Sequence, residues 1–213
     1  TLEITPAQLA LAPCNAGVVV TDIKTGEVLA LVSYPGYDNN RIGDSAYLSQ
    51  LQNDLSLPLY NNATQAKKAP GSTFKPLTAV AALEENAIGI EDTVDCTGRY
   101  EEIDTPIKCW IYPGRHGPLN MVGGLQNSCN FFFADLGHRL SMDADGNYVP
   151  SLGLDKLHKY AALFGLDHKS GVEIDELEPQ ISDIDPERSA MGQGNQAYTN
   201  VPLSQYVAAV ASR

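Results

Sequence analysis

What is scarce in this chain narrows its function before any motif is read. Lysine and arginine together number 14 against 26 aspartates and glutamates, a formal net charge of −12. A surface of that sign repels the phosphate backbone of nucleic acid and anionic lipid headgroups alike. No run approaches the ~18 consecutive apolar residues of a membrane span, and no basic start followed by an apolar run marks a secretory signal. The chain as given therefore reads as soluble. Four cysteines, Cys14, Cys96, Cys109 and Cys129, are too few in 213 residues for a disulfide scaffold. Cys96 and Cys109 either pair across a loop of about a dozen residues or stay reduced, and both readings remain open. There is no C-x-x-C pair and the four histidines are scattered, so neither a metal nor any other cofactor is expected. His138, His158 and His168 read as surface residues.

What is present points to a globular chain. Apolar residues make up 43% and charged residues 19%, too hydrophobic for disorder and long enough for a sizeable core. The chain begins without methionine and stops within an apolar pattern at Val210 to Arg213, which suggests a piece of a longer protein.

Two β-branched apolar runs, Ala16 to Ile23 and Glu27 to Tyr34, flank a Lys24-Thr25-Gly26 break and predict a hairpin. Both faces of its second strand are largely apolar, as expected of strands covered on both sides by helices. Turn formers dominate Pro35 to Gly71, around a short amphipathic stretch at Tyr47 to Leu55. Phe74, Leu77, Val80, Ala81 and Leu83 recur at helical spacing within Ser72 to Ala87, ending near Gly89. Thr93 to Leu119 lacks a period and reads as a surface excursion or short strands. Helical patterns return at Gly123 to Leu140, Leu152 to Phe164 and Pro202 to Val210.

Two places carry chemistry. In Gly71-Ser72-Thr73-Phe74-Lys75-Pro76 a hydroxyl sits at the mouth of a helix with an amine one turn on, so both project from one face. A serine becomes a nucleophile when a base takes its proton, and a lysine whose pKa burial has lowered is such a base. The helix N-terminus adds partial positive charge beside an oxyanion. The plain structural reading is an N-cap serine with a solvated lysine. In Ser128-Cys129-Asn130 the outer residues face one site only if the helix breaks there, and the flanking asparagines favour a break. The hydroxyl then relays a proton and the amide holds a substrate, or the triplet is a simple helix cap. A Ser-His-Asp hydrolase through His116 fits poorly, because Ser72 lacks the trailing glycine of a nucleophile elbow.

These residues resemble the first two motifs of the penicillin-binding protein transpeptidases, in the right order. The hairpin leading into Tyr34-Pro-Gly-Tyr-Asp-Asn-Asn40, the Cys109-Trp110 to His116-Gly117 approach, and Gly192-Gln193-Gly194 followed by Thr199 to Leu203 are similar too. With no glycosyltransferase module, the class B type is the nearer match. The resemblance implies an α/β fold of the serine β-lactamase/transpeptidase type: an antiparallel sheet flanked by helices, with a helical subdomain at about 72–170. It implies a single partial domain over 1–213. The third motif, Lys-Thr-Gly on a later strand, does not follow Gly194, so the sheet is expected to be incomplete and the isolated chain weakly active or inactive. Lys24-Thr25-Gly26 reads instead as a hairpin turn.

The implied activity is peptidoglycan D,D-transpeptidation through a serine acyl-enzyme. Ser72 is the implied nucleophile, Lys75 its base and Ser128 the proton relay, with Asn130, Gly71 and Thr73 binding substrate. Implied partners are stem peptides ending in D-Ala-D-Ala, β-lactams and other cell-wall synthesis proteins, for a membrane-anchored parent at the extracytoplasmic face. The alternatives are a β-lactamase or β-lactam sensor, for which no deacylating residue is evident, and an inactive scaffold of the same fold.

Overall fold

The computed structural model describes residues 15–212, and Cys14 lies outside them. In chain order the elements are β1 (Ala16–Thr21), β2 (Val28–Tyr34), α1 (Ser45–Gln52), α2 (Lys75–Glu84), β3 (Val94–Cys96), β4 (Arg99–Tyr100), β5 (Ile107–Lys108), β6 (Gly117–Leu119), α3 (Met121–Gln126), α4 (Asn130–Leu140), α5 (Pro150–Leu163), α6 (Pro186–Ala190) and α7 (Asn200–Ser212). Among the described residues the strands form three antiparallel pairs, β1-β2, β3-β6 and β4-β5. The described residues fall into two compact units, one of residues 15–67, 169–178 and 199–212, the other of 68–168 and 179–198.

The first unit is the hairpin with α1 and α7. β1 and β2 pair in register from Ala16 opposite Tyr34 to Val20 opposite Ala30, with an irregularity before Thr21. Asp22 closes the turn by accepting from the Lys24 and Thr25 amides, and Gly26 takes the positive φ of 77° that the turn needs. Lys24-Thr25-Gly26 is thus a hairpin turn in the structure. The Asn200 side chain donates to the Gly17 carbonyl at 2.6 Å and fastens α7 to β1. Covering on both faces is corrected, since Val18, Val20, Val32 and Tyr34 are each about half exposed among the described residues. Their β-branched and aromatic character favours the strand conformation whichever face is covered.

The second unit is mostly helical and holds the larger core. Phe132, Phe133, Leu136 and Leu140 are fully buried on α4, because these positions recur on one face of a 3.6-residue helix. Against Phe132, Phe133 and Leu136 pack Cys96, Tyr100 and Ile107 from β3, β4 and β5, and Ala79 and Ala82 from α2. Each buried phenylalanine contributes roughly 2–3 kcal/mol of transfer free energy. Gly137 lets α4 approach α6, where an added Cβ would stand 2.5 Å from the Pro186 carbonyl oxygen. Thr78 donates to the Ala190 carbonyl at 2.8 Å and ties α2 to α6 as well. Asn86, in the left-handed region at φ 54°, ends α2, and the Ala87 amide turns back to the Ala82 carbonyl at 2.9 Å.

Two local expectations change, and one open alternative is resolved. Ser72 does not cap α2: residues 71–74 form a 3₁₀ turn with no side-chain cap, and the α-helix begins at Lys75 with Pro76 in its first turn. Proline is tolerated there because the first-turn amides have no intrahelical acceptor. His138 is no free surface residue. Its Nδ1 lies 3.0 Å from the buried Glu187 carboxylate, which also accepts from the Tyr148 hydroxyl at 2.9 Å. Cys96 and Cys109 are free thiols.

Candidate active site

The lysine of the first motif meets the serine and asparagine of the second. Lys75 is only 2% exposed, and its Nζ donates to the Ser128 carbonyl at 2.8 Å, to Ser128 Oγ at 3.0 Å and to Asn130 Oδ1 at 2.7 Å. Three acceptors match the three N–H donors of an ammonium. Burial pulls the amine down to about 8, against the smaller opposing influence of the Cys129 and Cys109 thiols. The Phe133 ring lies beneath it at 5.5 Å. A buried amine this close to neutral pH is suited to accept a proton.

The second motif is where a helix breaks. α3 ends at Gln126 and Asn127 caps it. Ser128 then adopts φ 45°, and α4 starts at Asn130 with Cys129 as its cap, the Cys129 sulfur accepting from the Phe132 amide at 3.4 Å. This kink allows Ser128 and Asn130 to face Lys75 together while Cys129, fully buried, points into the core.

Ser72 lies in the 3₁₀ turn one helical turn before Lys75, exposed to solvent. That turn is held from below by backbone: the Gly71 amide donates to the Gly192 carbonyl at 2.9 Å. Gly71 and Gly192 both have positive φ, 58° and 73°, and a Cβ on Gly192 would stand 2.1 Å from the Gly71 carbonyl oxygen. Thr73 is exposed as well, and its hydroxyl donates back to the Pro70 carbonyl at 2.8 Å. The structure therefore unites Ser128, Asn130 and Lys75 directly, and places Gly71, Ser72 and Thr73 on the adjoining turn.

Sequence reading, which expected no metal, missed a second constellation of residues that could hold one. One ligand atom from each of Cys96, Cys109, His116 and Cys129 lies within 4.8 Å of the others. His116 Nδ1 is 3.5 Å from Cys96 Sγ and 3.7 Å from Cys109 Sγ, and Cys109 Sγ is 3.8 Å from Cys129 Sγ. Three thiols and an imidazole at such separations fit a tetrahedral zinc ion with metal–sulfur bonds of ~2.3 Å. Burial pushes the Cys109 thiol up, yet the Phe131, Ile111 and Asn130 amides outweigh it and leave Cys109 below its ordinary value. Burial drives Cys129 upward. The ligands escaped notice because no two share a short-range spacing; the strand pairs β3-β6 and β4-β5 bring them together with the start of α4.

A serine on a turn at a helix mouth, a buried lysine one turn in, and a kinked Ser-x-Asn segment against that lysine form an arrangement able to carry acyl transfer through a serine. Comparison with known proteins takes this further. The penicillin binding protein transpeptidase domain family matches residues 16–213, and the chain belongs to that family. Peptidoglycan D,D-transpeptidase MrdA of Escherichia coli is 36% identical over 171 residues, 78% of this chain and 25% of the relative. A structure of penicillin-binding protein A from M. tuberculosis, a ceftriaxone acyl-enzyme complex, superposes with a TM-score of 0.79 at 25% identity, over 94% of this chain and 45% of that one. A chain from a peptidoglycan synthase complex that coordinates polymerization and crosslinking superposes at 0.81 with 26% identity, over 93% and 35%. The chain thus spans about a quarter of the length of the curated relative it matches. The fold is the transpeptidase α/β type, as the resemblance implied.

Proposed function

We propose that this domain carries peptidoglycan D,D-transpeptidation by a protein of the class B type. Lys75 carries the reading: a buried amine with its pKa brought down to about 8, bonded to both second-motif side chains and one turn from Ser72. Ser72 Oγ attacks the carbonyl of the D-Ala-D-Ala bond as its proton passes to neutral Lys75. The tetrahedral oxyanion forms beside the Ser72 amide at the helix mouth. As the C–N bond breaks, Ser128 passes the proton from Lys75 to the departing D-alanine amine. A neighbouring stem-peptide amine then attacks the ester and restores Ser72. Asn130 orients Lys75 and the substrate amide, while Gly71 and Thr73 shape the turn on which the acyl donor rests. β-Lactams acylate the same serine, a reading supported by the acyl-enzyme relative of the same fold.

The parent acts at the extracytoplasmic face of the cell membrane together with other cell-wall synthesis proteins, in keeping with the related synthase-complex chain. Among the described residues no helix is long and apolar enough to cross a membrane. A zinc ion held by Cys96, Cys109, His116 and Cys129 would serve structurally, fixing Cys129 and so the segment between Ser128 and Asn130. The test is labelling of the full-length protein with a fluorescent penicillin, followed by peptide mapping. Label on Ser72 that disappears in Ser72→Ala is expected; label that survives this change overturns the assignment.

A further inference from the structure

Trp110 is the sole tryptophan of the chain, yet it is 64% exposed. Burial therefore does not account for its placement. Its indole Nε1–H donates to the Asn127 carbonyl at 2.9 Å, and its ring meets the His116 ring edge-on, with centroids 5.3 Å apart and planes at 64°. His116 is in turn seated against the Cys96 and Cys109 sulfurs. The indole is thus aimed by the cysteine cluster at one carbonyl.

That carbonyl matters because the Asn127 C=O and the Ser128 N–H are opposite ends of one planar peptide unit. The Ser128 N–H donates to the Leu125 carbonyl at 3.0 Å, so the plane is held at both ends. Its rotation sets φ of Ser128, which stands at 45°, a region that costs a non-glycine residue roughly 1–2 kcal/mol. A left-handed serine relaxes if its peptide planes are free to turn. Relaxation would swing the Ser128 carbonyl and Oγ away from Lys75 Nζ, to which both are bonded. The C-terminal carbonyl of a helix such as α3 has no intrahelical donor of its own, and the indole supplies one.

We propose that Trp110 is a positioning residue for Ser128: its indole N–H locks the Asn127–Ser128 peptide plane and thereby keeps the Ser128 hydroxyl on Lys75. The inference rests on the acyl-transfer reading above. It predicts an effect on the chemical step, carried through Ser128, from loss of a single N–H.

The experiment measures stopped-flow acylation of the full-length protein by a fluorescent penicillin, separating the acylation rate constant from the pre-acylation Kd. Two changes are compared, Trp110→Phe and replacement of Trp110 by β-(3-benzothienyl)alanine, which keeps the ring shape and exchanges the N–H for sulfur. Both are also made in a Ser128→Ala background, whose slow labelling is followed over hours. The expected result is an acylation rate constant about five- to tenfold lower, as for loss of one hydrogen bond. Kd should stay within twofold, and the slowing should be clearly smaller in the Ser128→Ala background, which keeps only the carbonyl contact of residue 128 with Lys75. An unchanged rate in the benzothienyl variant overturns the proposal. So does a loss confined to Kd, which would make the ring a ligand contact, or an equal loss in the Ser128→Ala background. If Trp110→Phe fails to fold, the benzothienyl variant decides alone. Absence of labelling in the unaltered protein would refute the acyl-transfer reading and this inference with it, whereas normal labelling with no Trp110 effect refutes this inference only.

Discussion

If neutral Lys75 is the base, acylation must follow its titration. Burial brings the amine from 10.5 to about 8. At pH 7 about 9% of such an amine is neutral, compared with about 0.03% at the ordinary value, so burial multiplies the competent form about 300-fold. The rate should rise nearly tenfold from pH 6 to 7, rise about tenfold again by pH 9, and then level off. The sign follows from the base being the deprotonated form: protons compete with Ser72 for the same nitrogen. Lys75→Ala should lower the acylation rate constant by about 10² to 10⁴, the usual contribution of a general base. Lys75→Arg should fare no better, because a guanidinium keeps its proton throughout this range. Fluorescent-penicillin stopped flow on the full-length protein, in buffers of constant ionic strength from pH 6 to 9.5, reads all three. A flat or falling profile, or an active Lys75→Arg, would refute Lys75 as the base.

Gly192→Ala places a methyl against the Gly71 carbonyl at a positive φ. It should slow acylation at least about tenfold, in line with the cost of small displacements of a reacting group; wild-type rates in that variant would show the backbone contact to be dispensable. Phe132→Ala empties a fully buried site on α4 and should cost about 3–5 kcal/mol, measured by urea unfolding, with a loss under 1 kcal/mol contradicting the packing. Chelator-treated protein should take up one zinc ion through the cysteine cluster, read by elemental mass spectrometry after desalting. Uptake that is absent, or that persists undiminished in Cys96→Ser/Cys109→Ser, would argue against the site.

The hairpin, α2 and α5 were legible because strand and helix periods are local properties of ten or so residues. So was the break at Ser128, since two side chains two apart share one site only off a continuous helix. The 3₁₀ turn at residues 71–74 was not, because it depends on the Gly71–Gly192 backbone contact across more than a hundred residues of chain. The pairing of His138 with Glu187 and the assembly of Cys96, Cys109, His116 and Cys129 were hidden for the same reason. Their partners arrive on different elements, and no short spacing announces them. Exposure of Val18, Val20 and Val32 was hidden in another way: an apolar strand face looks the same in sequence whether or not something covers it.

The three hydrogen bonds of Lys75 imply a proton inventory. As an ammonium the nitrogen has three N–H bonds for the Ser128 carbonyl, Ser128 Oγ and Asn130 Oδ1. As a free amine it has two N–H bonds and a lone pair, so one acceptor must lose its donor. A carbonyl and an amide oxygen can only accept, but a hydroxyl can turn round and give its hydrogen to the lone pair. Ser128 Oγ is the one member of the set whose direction is reversible. The network can then release a proton without stranding a buried polar atom, which would otherwise cost about 1–3 kcal/mol. If Ser128 is the relay proposed above, it is a ballast as well: its rotation keeps the two protonation states of the lysine nearly balanced.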